Sequence, residues 1–146
     1  MFVLVTPCAN LGRWSRGDDS MARMIELRIG SLKLTGELDS TPTADAIWQA
    51  LPLESAVNTW GEELYFDIGV DAAIENGATD VVPVGALAYW KPGSALCIFF
   101  GPTPVSQGNE PRAASAVNVV GQLEETPVEA LRKITTGTLV TIGTAK

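Results

Sequence analysis

The sequence contains no histidine. That excludes Ser-His-Asp triads, histidine general bases, and every zinc or iron site that needs an imidazole ligand. Its two cysteines, Cys8 and Cys97, are too few for a four-cysteine metal site or a disulfide framework. Without a spacing pattern they fit a reducing compartment. Basic side chains are scarce as well: 10 Lys and Arg stand against 17 Asp and Glu, a formal net charge of −7. Nucleic-acid affinity is carried mainly by Lys and Arg, so this balance argues against a phosphate-reading surface. No apolar run approaches the ~18 residues of a membrane helix. The strongest one, Ala95 to Phe100, is the length of a strand. The N-terminal run Phe2-Val-Leu-Val5 lacks a basic leader and is too short for a secretory signal. These absences predict a cytoplasmic protein without nucleic-acid or membrane partners, and no metal or cofactor is expected.

What remains is globular in composition. With 146 residues, 46% of them apolar, the chain predicts one domain able to bury a core without staples. Residues 1–23 stand apart. They lean basic and show no apolar period, whereas residues 24–146 carry more than the whole net negative charge. Met21 and Met24 lie directly before the first alternating run, so one of them is a candidate native start, with residues 1–23 a poorly integrated extension. The alternative is a genuine extension in which Phe2–Val5 pairs as an edge strand.

From Met24 onward, strand signals dominate. Met24–Ile29 and Leu32–Leu38 alternate with period two around Gly30-Ser31, the pattern of a hairpin with Ile25, Leu27, Ile29, Leu32, Leu34 and Leu38 inward. Thr41-Pro42 opens a helix as N-cap and first helical residue. Ala44, Ile47, Trp48 and Leu51 form its apolar face, and Pro52 ends it. Ala56–Trp60 and Glu62–Ile68 read as strands hinged at Gly61, with Leu64, Phe66 and Ile68 on one face and Glu63, Tyr65 and Asp67 on the other. Residues 71–80 read as a connection. Val84–Trp90 and Ser94–Phe100 are joined by Lys91-Pro-Gly93, a type II turn signature in which the glycine takes the positive φ. Residues 105–116 read as a polar loop holding Arg112, and Val117–Leu123 as a strand. Thr126-Pro-Val-Glu129 reads as a capping box opening a short second helix, and Thr138–Thr144 as the last strand. Seven or eight short strands with two short helices predict a mainly β fold, a closed or nearly closed antiparallel barrel.

Several segments carry a resemblance. Thr41 through Pro52, Asn58-Thr-Trp-Gly-Glu-Glu-Leu-Tyr-Phe66, Gly85 through Pro104 with its Tyr-Trp-Lys-Pro-Gly and Phe-Phe-Gly-Pro-Thr-Pro motifs, and Asn118-Val-Val-Gly121 are similar to a family of small prokaryotic cyclophilin-like proteins. The resemblance covers about residues 24–145. It implies an eight-stranded β-barrel of cyclophilin type, and it favours the late start. It does not imply prolyl isomerase activity, because the Phe-His-Arg and Gln-Gly-Gly elements of true cyclophilins are absent here.

Prolyl isomerisation needs neither nucleophile nor metal, only an apolar pocket and a fixed donor at the twisting amide, whose barrier is about 18–20 kcal/mol. Arginine supplies such a donor without proton transfer, so the lack of histidine does not exclude this reaction. Arg112 is the candidate catalytic cation, with a plain surface charge as its other reading. Candidate ligand-binding residues are Trp60, Tyr65, Phe99, Phe100 and Asn118. Of these, Phe99 and Phe100 point to opposite faces, so at least one belongs to the core, and Asn118 also suits a structural hydrogen bond. Cys97 reads as a small buried hydrophobe. Between Lys33 and Lys91 there is no basic residue, yet ten carboxylates fall there, Glu63 and Asp67 among them. Those two would stand ~13 Å apart on a strand, too far for a glycosidase pair, so the acidic stretch reads as a solvated face. Two functions follow as expectations: a barrel that binds a peptide or small ligand without turnover, or a weak, divergent peptidyl-prolyl isomerase.

Overall fold

A computed structural model describes residues 23–145. Ten strands and two helices follow one another as β1 (Arg23–Ile29), β2 (Leu32–Leu38), α1 (Pro42–Ala50), β3 (Leu53–Ala56), β4 (Asn58–Thr59), β5 (Glu63–Asp67), β6 (Thr79–Val81), β7 (Ala86–Trp90), β8 (Ala95–Phe99), β9 (Arg112–Leu123), α2 (Val128–Arg132) and β10 (Leu139–Thr144). The strand order is β3-β10-β1-β2-β9-β7-β8-β5-β4, with β6 attached to β9. Every pairing is antiparallel. The mainly β expectation is met, but the count is ten strands rather than eight. No hydrogen-bonded ladder joins β3 to β4 among the described residues, although Val57 links the two covalently.

The β1–β2 hairpin forms in the expected register, Ile29 opposite Leu32 and Leu27 opposite Leu34. Ile25, Leu27 and Ile29 are fully buried, each such side chain contributing roughly 1.5–3 kcal/mol. Helix α1 is capped as expected: the Thr41 hydroxyl accepts from the Ala44 N–H at 3.2 Å. Ala44 and Ile47 enter the core, while Trp48 is half-buried, with the Arg23 guanidinium 6.0 Å from its ring. Arg23 opens β1 opposite Leu38; the rest of the expected extension, residues 1–22, lies outside the described residues.

Four local expectations are corrected. The strand over Ala56–Trp60 is interrupted at Val57, whose backbone turns aside to pair with Thr138 and Gly137. The Lys91-Pro-Gly93 connection is a single 3-10 turn; Ser94, at φ 45° and ψ 45°, takes the left-handed conformation expected of Gly93. The polar loop ends at Pro111, because Arg112 already begins the long strand β9. The capping box at Thr126 does not form, and α2 begins at Val128 with no side-chain cap.

The sheet around β5, β8, β7 and β9 has two covered faces. Leu64, Phe66, Leu87, Tyr89, Leu96, Ile98 and Val120 build the main core. On the opposite face, Ala86, Ala88, Cys97, Phe99, Ala113 and Val117 form a second cluster with Val82, which follows β6. This second face is floored by small residues, and Tyr65 and Trp90 stand at its margin.

Candidate functional site

The parity of β5 places Glu63 and Tyr65 on the second face, and that of β7 places Trp90 there beside Ala86 and Ala88. Tyr65 lies opposite Cys97, and Cys97 opposite Ala88, so no large side chain fills the row between β5 and β7. The result is a cleft of about 230 Å³ lined by Trp60, Glu63, Tyr65, Trp90, Ala113 and Ala114. Tyr65 and Trp90 meet edge to face with centroids 6.3 Å apart and planes at 71°. The Trp90 indole N–H donates to the Ser115 hydroxyl at 2.8 Å, which fixes that ring in place. Trp60 precedes the Gly61 turn, and its backbone N–H donates to the Glu63 carbonyl at 3.0 Å.

Glu63 corrects the reading of β5 as a strand with a solvated acidic face. It is 95% buried, and its Oε1 has no hydrogen-bond partner among the described residues. Burial disfavours the charged form and pushes its carboxyl up to about 7, a hydrogen bond from the Cys97 thiol opposing the rise. The same burial, with the Glu63 charge beside it, raises the Cys97 thiol well above its ordinary range. Cys97 is therefore a buried thiol without thiolate character.

The other sequence-predicted residues do not line the cleft. Phe99 is fully buried beneath the second face, and Phe100 points into the main core. The Asn118 amide nitrogen donates to Thr43 Oγ1 at 3.0 Å and to the Ala73 carbonyl at 2.9 Å. Its carbonyl oxygen accepts from the Glu75 N–H at 2.9 Å. The Glu75 carboxylate in turn accepts from the Thr43 N–H and hydroxyl. Asn118 thus ties the 71–78 connection to helix α1 with both ends of its amide engaged. Arg112, next to Ala113, donates from Nε to Glu110 at 3.1 Å and from Nη1 to Asp80 at 3.0 Å. The Glu110 carboxylate also accepts from the Gln107 and Gly108 N–H groups at 2.8 Å each, and this set lowers it to about 2. Beside the cleft, Glu62 is paired with Arg132 at 2.8 Å.

Sequence reasoning found Trp60 and Tyr65 and missed Glu63, Trp90, Ala113 and Ala114. The signal for Trp90 was present: it shares period-two parity with Ala86 and Ala88, not with the core residues Leu87 and Tyr89. Among the described residues no three carboxylates or thiols cluster as a metal site would require, and no helix is long and apolar enough to cross a membrane.

The comparisons with known proteins agree with this architecture. A family model described as cyclophilin-like matches residues 23–143. The solution structure of a hypothetical protein, AF2241 from Archaeoglobus fulgidus, superposes with a TM-score of 0.74 at 37% sequence identity, covering 89% of this chain and 100% of that one. No curated protein matches the chain. With most of its length matched by the family model and a structural relative covered end to end, the chain belongs to the cyclophilin-like family.

Proposed function

We propose that this protein binds a small molecule or a peptide side chain in the Trp60–Tyr65–Trp90 cleft, without turning it over, on a barrel-like curled sheet. One observation carries this reading: a preformed cleft of about 230 Å³ with three aromatic walls and one convergent polar group, Glu63. Ligand sites are concave, mostly apolar and furnished with a few placed polar groups. Binding is favoured over turnover by the state of the reactive candidates. Cys97 is a buried thiol held protonated, and Arg112 is paired through Nη1 with Asp80 and through Nε with Glu110.

A fragment titration followed at the Trp60 and Trp90 indole N–H resonances tests it. Saturable shifts that vanish in Tyr65→Ser and Trp90→Leu are expected. Indole signals that stay still across a broad fragment set overturn the reading. A protease-coupled Xaa-Pro assay is expected to stay at background. A rate above background that falls in Arg112→Ala would transfer the assignment to a prolyl isomerase.

A further inference from the structure

Burying a carboxylate without a partner is costly, and proteins rarely leave one oxygen of a buried acid unbonded. Glu63 is such a case: it lines the cleft, and its Oε1 makes no hydrogen bond among the described residues. Among the described residues no cation pairs with it. Arg132 is paired with Glu62 and Glu129, and Arg112 with Asp80 and Glu110. No Lys or Arg occurs between Lys33 and Lys91, the stretch that supplies four of the six lining residues.

The remaining walls suit a cation. Trp60, Tyr65 and Trp90 supply aromatic rings, and the quadrupole of such a ring attracts an ammonium most strongly when it is desolvated. Tyr65 and Trp90, with planes at 71°, form a corner rather than a flat slot, and Ala113 and Ala114 add apolar surface without polar competition. The size fits as well. An apolar cavity of about 150 Å³ holds benzene, so about 230 Å³ accommodates an ammonium with a hydrophobic body. The net charge of −7 adds an attractive field for cations at the surface.

We propose that the cleft is a receptor for an organic ammonium, its charge met by the Glu63 carboxylate and its methyl or methylene groups by Trp60, Tyr65 and Trp90. This inference rests on the binding reading above and names the ligand class for the same site. The ammonium can come from a free amine or from a methylated lysine side chain.

The test is a titration of the full chain at pH 8, above the point near 7 to which burial pushes Glu63, read at the Trp60 and Trp90 indole N–H resonances. The probes are benzylammonium, benzyltrimethylammonium, Nα-acetyl-trimethyllysine methylamide and, as the neutral comparator, benzyl alcohol. Kd for at least one ammonium is expected to be tenfold or more below that for benzyl alcohol. A preference shown only by the lysine derivative assigns a side-chain source; one shown only by the benzyl compounds assigns a free amine. In Glu63→Gln, an isosteric change, the ratio is expected to fall to within twofold while benzyl alcohol still binds. Equal affinity of ammonium and alcohol for the unaltered protein overturns the ammonium assignment and leaves the binding reading standing. Absence of saturable shifts with every probe overturns the ammonium assignment, and the binding reading falls with it only if the broad fragment set is silent too. The comparison on the unaltered protein decides the matter even where Glu63→Gln fails to fold.

Discussion

Tyr65 and Trp90 sit two strands apart, on β5 and β7, yet their rings meet edge to face at a centroid distance of 6.3 Å because β8 offers only Ala95 and Cys97 between them. Small side chains on the central strand let the flanking aromatics converge, and the same absence of bulk leaves the cleft beside them. An edge-to-face pair contributes about 0.5–1.5 kcal/mol beyond area burial. A double-mutant cycle with Tyr65→Ala and Trp90→Ala in urea denaturation is therefore expected to give a coupling energy in that range. Additive effects of the two substitutions would mean that the pair is a mere coincidence of packing.

Tyr89 anchors the connection after β5 to the main core. It is fully buried, its hydroxyl donates to the Val70 carbonyl at 2.6 Å, and it accepts from the Ala72 N–H at 3.2 Å. Tyr89→Phe removes one atom and strands both backbone groups, a loss of about 1–3 kcal/mol. Hydrogen exchange at the Ala72 amide should accelerate by more than the global change in stability accounts for. Unchanged local protection would show that this bond holds nothing in place.

Asn118 was a candidate ligand residue, and its geometry is that of a clip. Asn118→Ala breaks three hydrogen bonds that join α1, the 71–78 connection and β9. A cost above about 2 kcal/mol is expected, as for other broken buried networks. Affinity at the Trp60–Tyr65–Trp90 cleft should stay within threefold of the parent. A selective loss of binding at unchanged stability would return Asn118 to the site.

Gly121 permits the β2–β9 seam. A Cβ built there would lie 2.2 Å from the Glu37 carbonyl oxygen, a backbone atom that cannot step aside without moving β2. Gly121→Ala is expected to destabilise by about 2 kcal/mol or more, in the manner of an overpacked core. Gly143→Ala on β10, where a Cβ meets nothing within 4 Å, should stay within about 0.5 kcal/mol of the parent. Similar denaturation midpoints for the two variants would refute the close approach.

The hairpin, helix α1 and the main-core parity of β5 were legible because each is written in a local period. Ile25–Leu27–Ile29 and Leu64–Phe66–Ile68 need no distant partner to declare their inward faces. The cleft was only half legible. Glu63 alternates with Tyr65 and Asp67, the ordinary pattern of a solvated face, and nothing within β5 says otherwise. Its surroundings are non-local: Phe99 and Cys97 come from β8, and Ala113 and Ala114, which line the cleft with it, come from the start of β9, which pairs with β6 through Thr79–Val117 and Val81–Arg112. A loop reading of residues 105–116 hid that strand, since Asn109, Glu110 and Pro111 signal a turn more loudly than Arg112–Ala114 signal β structure. The Thr126 capping box failed for a related reason. Its residue types suit a cap, but the chain enters α2 one residue later, where Pro127 supplies only its carbonyl, to the Leu131 N–H at 2.9 Å.

Glu63 makes stability depend on pH in a definite direction. Its carboxyl titrates near 7 in the folded chain against an ordinary value of 4.5. Below 4.5 both states carry the proton, and burial costs nothing in charge. Between 4.5 and 7 the unfolded chain has released the proton and the folded chain retains it, so stability falls as pH rises. Above 7 the group is ionised in both states, and the full cost is present. A difference of this size corresponds to roughly 3 kcal/mol. Carboxylates held low, such as Glu110, act in the opposite sense at lower pH, so the informative quantity is the difference between the parent and Glu63→Gln. Urea denaturation at pH 5 and pH 8 should show the variant gaining on the parent as pH rises, with Cys97 on β8 and Tyr65 on the same strand as the other titratable groups facing Glu63. Added ammonium ligand should shrink that gap at pH 8 by stabilising the ionised parent. Parallel pH profiles for the two proteins would mean that the Glu63 carboxylate is solvated, and the cleft would then lack the charge on which its selectivity depends.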